Sequence, residues 1–362
     1  MCPCGSTMPD PVIAQKKPYL VELKAGRNYL WCTCGRSAKQ PYCDGSHLGS
    51  SFEPLRFTAQ KDSEAVLCGC KHTRTPPFCD GTHNKLSERY QEAGQDELNA
   101  FASVPVTPRD RGHWGKAVLS DGCFVLTPTA EMLERRSGSM RLGPVIHRED
   151  GAAFISQFYA VVEPGSSDVL CFPDSETVLF IQSGAGSVTI SGREFPVAPE
   201  TGVLVRPGEA FSLQAGGGDT MRLLLTACPQ SRTPISLSHM PTNFDDSVSE
   251  RVVHVDATLR EPMADRFYQV LVGERPDDSQ ITEFIGEIPL SRAAAHRHLY
   301  EEAIMVLAGE GFLWTEKSRA AVAPGDILFL PRKVLHSLEC TSEGGLRLMG
   351  VFYPSGSPAV NY

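Results

Sequence analysis

No stretch of the 362 residues is apolar for long enough to span a bilayer. The opening residues, MCPCGSTMPD, have neither a basic leader nor an apolar core, so a secretory signal is not expected. Positive charge is also in short supply. The 34 lysines and arginines face 43 aspartates and glutamates, for a net charge of −9. That balance excludes nucleic acid or an anionic membrane surface as the main partner. The remainder, 41% hydrophobic and 21% charged, is ordinary for a globular protein long enough for two or three domains.

Cysteine is present in quantity. Half of the twelve cysteines sit in two stretches, CTCGRSAKQPYCDGSH at 32–47 and CGCKHTRTPPFCDGTH at 68–83. Each adds a histidine at a fixed spacing. A disulfide framework has no use for that histidine, whereas a metal site does. Thiolates held by metal also suit a reducing compartment, and a cytoplasmic location is expected. Cys2 and Cys4 form another Cys-x-Cys pair with no partners nearby and read as terminal residues.

Both stretches fit C-x-C-x2-[ST]-x3-P-x-C-D-G-[ST]-H without a gap, with Ser37 and Thr73 at the hydroxyl position and Pro41 and Pro77 at the proline. This pattern resembles the CDGSH iron–sulfur family. The resemblance implies a tandem CDGSH domain over 15–90 with two 2Fe–2S clusters. Cys32, Cys34, Cys43 and His47 would hold one cluster, and Cys68, Cys70, Cys79 and His83 the other. Soft thiolates suit such clusters, and a histidine in place of a thiolate raises the potential. A Cys3His zinc site remains the alternative for each stretch. YLVEL at 19–23 and EAVL at 64–67 are expected to be flanking strands.

Residues 84–103 read as a polar helix, and 91–118 as the linker between domains. From about 116 onward short apolar runs alternate with Gly, Pro, Ser and Asp turns, which predicts all-β structure. A shift of 125 residues aligns the chain with itself. Gly184 falls on Gly309, Gly186 on Gly311, Ala198-Pro199 on Ala323-Pro324, and Arg222-Leu223 on Arg347-Leu348. Two similar β-barrels are expected, over 119–240 and 241–362.

The second repeat carries HRHLYEEAIMVLAGEG and then PGDILFLPRKVLH. These resemble the two motifs of the cupin family, H-x-H-x3-4-E-x6-G and G-x5-P-x4-H. The implied fold is mostly β: the small CDGSH domain followed by two cupin barrels, each a double-stranded β-helix or jelly roll. The implied metal ligands are His296, His298, Glu302 and His336. On a strand, residues two apart share a face, so His296 and His298 would both face the barrel interior. Three imidazoles and a carboxylate leave two octahedral positions open, which suits Fe(II), with manganese, nickel or zinc as alternatives. Lys333 stands where the family commonly has glycine.

In the first repeat the ligand positions hold Cys171, Pro173, Thr177 and Phe211, so that barrel is expected to have lost its metal site. Glu176 aligns with Glu301, not with the ligand Glu302. Arg292, Arg297, Tyr300 and Arg347 are candidates for contact with substrate. The expected function is that of a mononuclear non-haem iron oxidoreductase. It would act on a small organic substrate and dioxygen, with the clusters relaying electrons from an external reductase or ferredoxin. A redox or iron sensor, a cluster-transfer protein, and a zinc or manganese isomerase are the alternatives. A homodimer is expected, as in many cupins.

Overall fold

The computed structural model describes residues 10–86, 104–109, 115–119, 121–231, 233–248, 250–263, 266–273, 279–293 and 295–360. Most of the helix expected at 84–103, much of the linker at 91–118, and Cys2 and Cys4 lie outside these. Among the described residues the regular structure is strand, with only short 3-10 turns such as Thr82–Lys85. No helix there is long and apolar enough to cross a membrane. The chain forms two compact units, one of Met1–Tyr90 with His296–Leu299 and Ser357–Tyr362, the other of Gln91–Ala295 with Tyr300–Gly356.

The first unit holds two β-ladders, each made from both of its halves. Tyr19–Leu23 pairs antiparallel with Ser63–Leu67, and Asn28–Trp31 pairs with Leu55–Thr58. Each half lends one strand to each ladder, so neither half closes its own sheet. Their shared core is small: Trp31, Leu67, Cys68 and Cys70, with Tyr42 and Phe57 packed against it.

The second unit contains two jelly-roll-like halves. In the first, Val252–His254, Thr201–Val205, Glu176–Ser183, Met221–Cys228, Ser156–Val162, Met140–Ile146 and Arg135–Ser137 lie side by side in that order. In the second the matching order is Phe124–Leu126, Ile327–Leu330, Glu301–Ala308, Leu346–Tyr353, Thr282–Ile288, Arg266–Val272 and Glu261–Met263. The two halves exchange strands. Phe124–Leu126 precedes the first half in sequence yet pairs with Ile327–Leu330 of the second, while Val252–His254 pairs with Thr201–Val205 of the first. The bounds 119–240 and 241–362 therefore divide the chain but not the sheets.

Strand alternation gives each large sheet an inner and an outer face. In the first half the inner face is filled by apolar side chains, including Phe158, Phe172, Leu179 and Phe211. The outer faces of both halves meet in a second core that includes Phe180, Leu224, Ile285, Met305, Phe329 and Met349. The 125-residue repeat has a steric cause at its glycines. A Cβ on Gly186 would stand 1.9 Å from the Gln214 carbonyl, and one on Gly311 would stand 1.8 Å from that of Glu339. Only glycine admits such a close backbone approach.

Two buried carboxylates join the halves reciprocally. Glu301 accepts hydrogen bonds from the backbone N–H groups of Ala153, Phe154 and Ile155, at 2.8, 2.8 and 2.9 Å. Its repeat counterpart, Glu176, accepts from Ser279 Oγ at 2.6 Å, Gln280 N–H at 2.8 Å and Arg206 Nη1 at 2.8 Å.

A third carboxylate lacks such support. Glu283 is buried on the face shared by the halves, and its Oε1 has no hydrogen-bond partner among the described residues. Burial holds its pKa well above the ordinary carboxylate value. The unfolded chain releases this proton near the ordinary value while the folded chain retains it. Stability is therefore full below that value and is lost as pH rises above it. Glu283→Gln is expected to flatten this slope, read as urea midpoints between pH 5 and 9. An unchanged slope would show that Glu283 does not set it.

Candidate metal centres

In the first unit the motif spacing acts through the backbone. Ser37 Oγ donates to the Tyr42 carbonyl at 2.6 Å, and Thr73 Oγ1 donates to that of Phe78 at 2.7 Å. The hydroxyl position thus pins the residue before the third cysteine. Asp44 accepts from the Ala38 and Ser46 N–H groups at 2.8 and 3.0 Å, and Asp80 from Arg74 and Thr82 at 2.9 and 3.0 Å. The Ser46 hydroxyl and N–H, with the Ala38 N–H, hold the Asp44 carboxyl well below its usual range.

These turns bring the eight predicted ligands together as pairs. Cys32 and Cys34 have their sulfurs 3.7 Å apart, and Cys43 Sγ lies 3.2 Å from His47 Nδ1. In the second motif the Cys68–Cys70 and Cys79–His83 separations are 3.4 and 3.3 Å. A single tetrahedral zinc needs all four donors within about 3.8 Å of one another, given Zn–S near 2.3 Å. Each of these four separations is within that reach. The Cys70 contact holds Cys68 down to about 6, and the same contact pushes Cys70 up. Burial pushes Cys79 up to about 12.

His296, His298 and His336 offer ring nitrogens that all lie within 4.8 Å of one another. His336 opens the strand His336–Cys340, paired across from Thr315. His336 Nδ1 lies 2.9 Å from the Val334 carbonyl. A carbonyl can only accept, so in the neutral ring Nδ1 carries the proton and Nε2 the lone pair for a metal. His296 and His298 do not lie on a named strand, contrary to expectation. They occupy the irregular segment before Glu301–Ala308, with ring centroids 4.8 Å apart. Glu302 is buried on that strand and shares its face with Ile304 and Val306, but it is not one of the grouped ligand atoms.

The candidate substrate contacts fall in different places. Tyr300 is buried and stacked on Phe352 at 3.9 Å. Burial and then the Glu302 charge push its phenol up, so it stays protonated. Arg347 does not reach into the barrel. It forms a bidentate pair with Glu200 of the first half, at 2.8 and 2.7 Å, because residue 347 alternates to the face opposite Leu346 and Leu348. Arg292 lies over the Trp314 ring at 4.5 Å, with Arg319 also over that ring at 4.6 Å. Trp314 bonds Glu339, which alternates to the face opposite His336 and Leu338. Arg292 and His336 line one small pocket together with Trp314 and Thr315, and Arg297 is exposed. In the first half Phe211, at the place of His336, is fully buried in the apolar interior.

Comparison with known proteins agrees with this division. Residues 9–48 match the family model described as iron-binding zinc finger CDGSH type, and residues 288–352 match the cupin domain. The chain thus carries a CDGSH-type domain at its N-terminus and a cupin domain toward its C-terminus. The N-terminal part is 55% identical over 53 residues to CDGSH iron-sulfur domain-containing protein 3, mitochondrial, of Mus musculus. The corresponding protein of Homo sapiens is 56% identical over 52 residues. These matches cover 14% of this chain and span 39% and 41% of the relatives' own length. Among solved structures, procruciferin, an 11S globulin from Brassica napus, aligns with a TM-score of 0.53 and 11% identity, over 65% of this chain and 85% of its own. Protein Ylba from E. coli aligns at 0.51 and 13%, over 65% and 92%. At such identities the likeness is one of fold.

Proposed function

We propose that the protein is a metal-dependent cupin oxidoreductase, an oxygenase or oxidase for a small organic substrate. In this reading two 2Fe–2S clusters in the N-terminal unit relay electrons to it from an external donor. The observation that carries the metal reading is the group of three imidazoles within 4.8 Å. Imidazole donors suit iron, and Glu302, facing the same barrel interior, is the residue to complete the set. A redox-active ion there would supply one-electron chemistry with dioxygen. The chain's own part is to orient and to exclude water. The Val334 carbonyl fixes the His336 tautomer, and Tyr300 offers a protonated phenol on a wall formed with Phe352.

The test is metal and acid-labile sulfide content of the purified protein, followed by EPR before and after anaerobic reduction. About four cluster irons and one barrel iron per chain are expected on this reading. Zinc or manganese in the barrel would favour an isomerase-type reaction instead. The relay is tested separately. Substituting His47 and His83 by cysteine is expected to lower cluster potentials and slow turnover with dioxygen. A changed cluster spectrum with unchanged turnover would reject the relay.

A further inference from the structure

The two halves of the N-terminal unit are related by a shift of 36 residues, which carries Cys32 to Cys68 and His47 to His83. The residue after the second cysteine breaks the relation. In the first half it is Gly35, with φ +75°, and in the second it is Lys71, with φ +69°. Both are left-handed, a conformation strained for a side-chain-bearing residue. At Gly35 the choice is forced, since a Cβ would stand 1.7 Å from the Val12 carbonyl. At Lys71 the strain is accepted and a cation is buried as well, to 7% exposure. An outlier of that kind calls for a reason.

The surroundings of Lys71 supply one. Its ammonium donates to the Cys68 carbonyl at 3.1 Å, and it lies 4.7 Å from the Trp31 ring centroid and 5.7 Å from that of Tyr19. Trp31 Nε1 donates to the same carbonyl at 3.2 Å. The aromatic walls come from the first half and the cation from the second. Burial lowers the Lys71 pKa, and charge on Cys32, Cys68, Cys34 and Cys70, which belong to both quartets, opposes that shift. Under the 36-residue shift Trp31 becomes Leu67 and Tyr19 becomes Leu55, so the first half has no counterpart of this arrangement.

We propose that Lys71 is a fixed, buried cation shared by both CDGSH sites, which raises the reduction potential of both clusters. This rests on reading each quartet as a 2Fe–2S site. Three thiolates and a neutral imidazole give such a cluster one negative charge when oxidised and two when reduced. A nearby cation in a low-dielectric pocket therefore stabilises the reduced form more. Lys71 passes neither a proton nor an electron. In the assay the electron comes from dithionite and resides on the cluster irons.

The test is a redox titration of the full chain with dithionite, followed by visible absorption and EPR, with iron and acid-labile sulfide measured on each sample. In Lys71→Met the reduction equilibrium of both clusters is expected to shift about tenfold against the electron, which is about 59 mV for a one-electron couple. Lys71→Gly is expected to give a similar shift while the thermal midpoint holds or rises, since glycine suits φ +69°. Lys71→Arg is expected to keep potentials close to wild type. Unmoved potentials in fully loaded Met and Gly variants would overturn the proposal. Failure of both variants to load clusters that the Arg variant loads would overturn it in favour of a structural role. A shift confined to one cluster would refute the sharing. Absence of sulfide from the wild type would instead sink the cluster reading itself.

Discussion

His336→Ala is expected to empty the barrel metal site while leaving both CDGSH chromophores intact. Loss of an outer-shell partner typically costs about 10–100-fold in metal affinity, and loss of a direct ligand costs more. The expected fall therefore exceeds a hundredfold, read as barrel metal retained against a graded chelator. The fold should tolerate the change. Truncation removes the hydrogen bond to the Val334 carbonyl, worth about 1 kcal/mol. The strand partners of residue 336 bond through backbone groups that alanine retains. His298→Ala should behave in the same way from the other side of the group. Metal retained at wild-type affinity in both variants would show that the three imidazoles do not form a site. Glu302→Gln is the finer probe. If the carboxylate completes the set, affinity should fall without abolition, because the amide oxygen is a weaker, neutral donor.

Much of this was legible in the sequence, and the limits of that reading are physical. The CDGSH motif could be read as ligand spacing because its remaining positions are local turn chemistry: Ser37 and Thr73 pin carbonyls, and Asp44 and Asp80 bond backbone N–H groups within six residues. The departure of Lys333 from glycine resolves in the same local terms. Its φ of +66° matches the +78° of Gly208, its counterpart 125 residues earlier. Periodicity gave the inward and outward faces but not which strands would pair. Nothing in FVL at 124–126 records that its ladder partner is about 200 residues away. His296 and His298 met as a pair without a strand to align them. Arg292 and Arg347 looked like site cations because they flank the motifs. One lies over an indole in a pocket that His336 also lines, and the other grips a carboxylate of the other half. Charge near a motif in sequence carries no record of which face it takes.

The alignment of Glu176 with Glu301 was legible as equivalence, but its energetic weight was not, and it supports the largest stability effect expected for the larger unit. Glu301→Ala removes the acceptor for three consecutive N–H groups, of which that of Ile155 is buried and costs about 1–3 kcal/mol when left without a partner. Water reaches the half-buried N–H groups of Ala153 and Phe154, so the expected loss is about 2–3 kcal/mol, still a large fraction of a typical domain's stability. Glu301→Gln should lose less, since its carbonyl still accepts, although its NH2 group opposes the remaining N–H. Glu176→Ala should cost a similar amount, because it leaves the Arg206 guanidinium and the Gln280 N–H without their acceptor. Both carboxylates hold the same pair of halves, so their effects should not add. Once one side opens, the other has less left to hold, and the double variant should lose less than the sum. Urea unfolding followed by far-ultraviolet circular dichroism reads all three variants, with metal and cluster content matched. A loss below about 1 kcal/mol for Glu301→Ala would show that its hydrogen bonds add little to the hold between the halves, and strict additivity would show that the two carboxylates act independently.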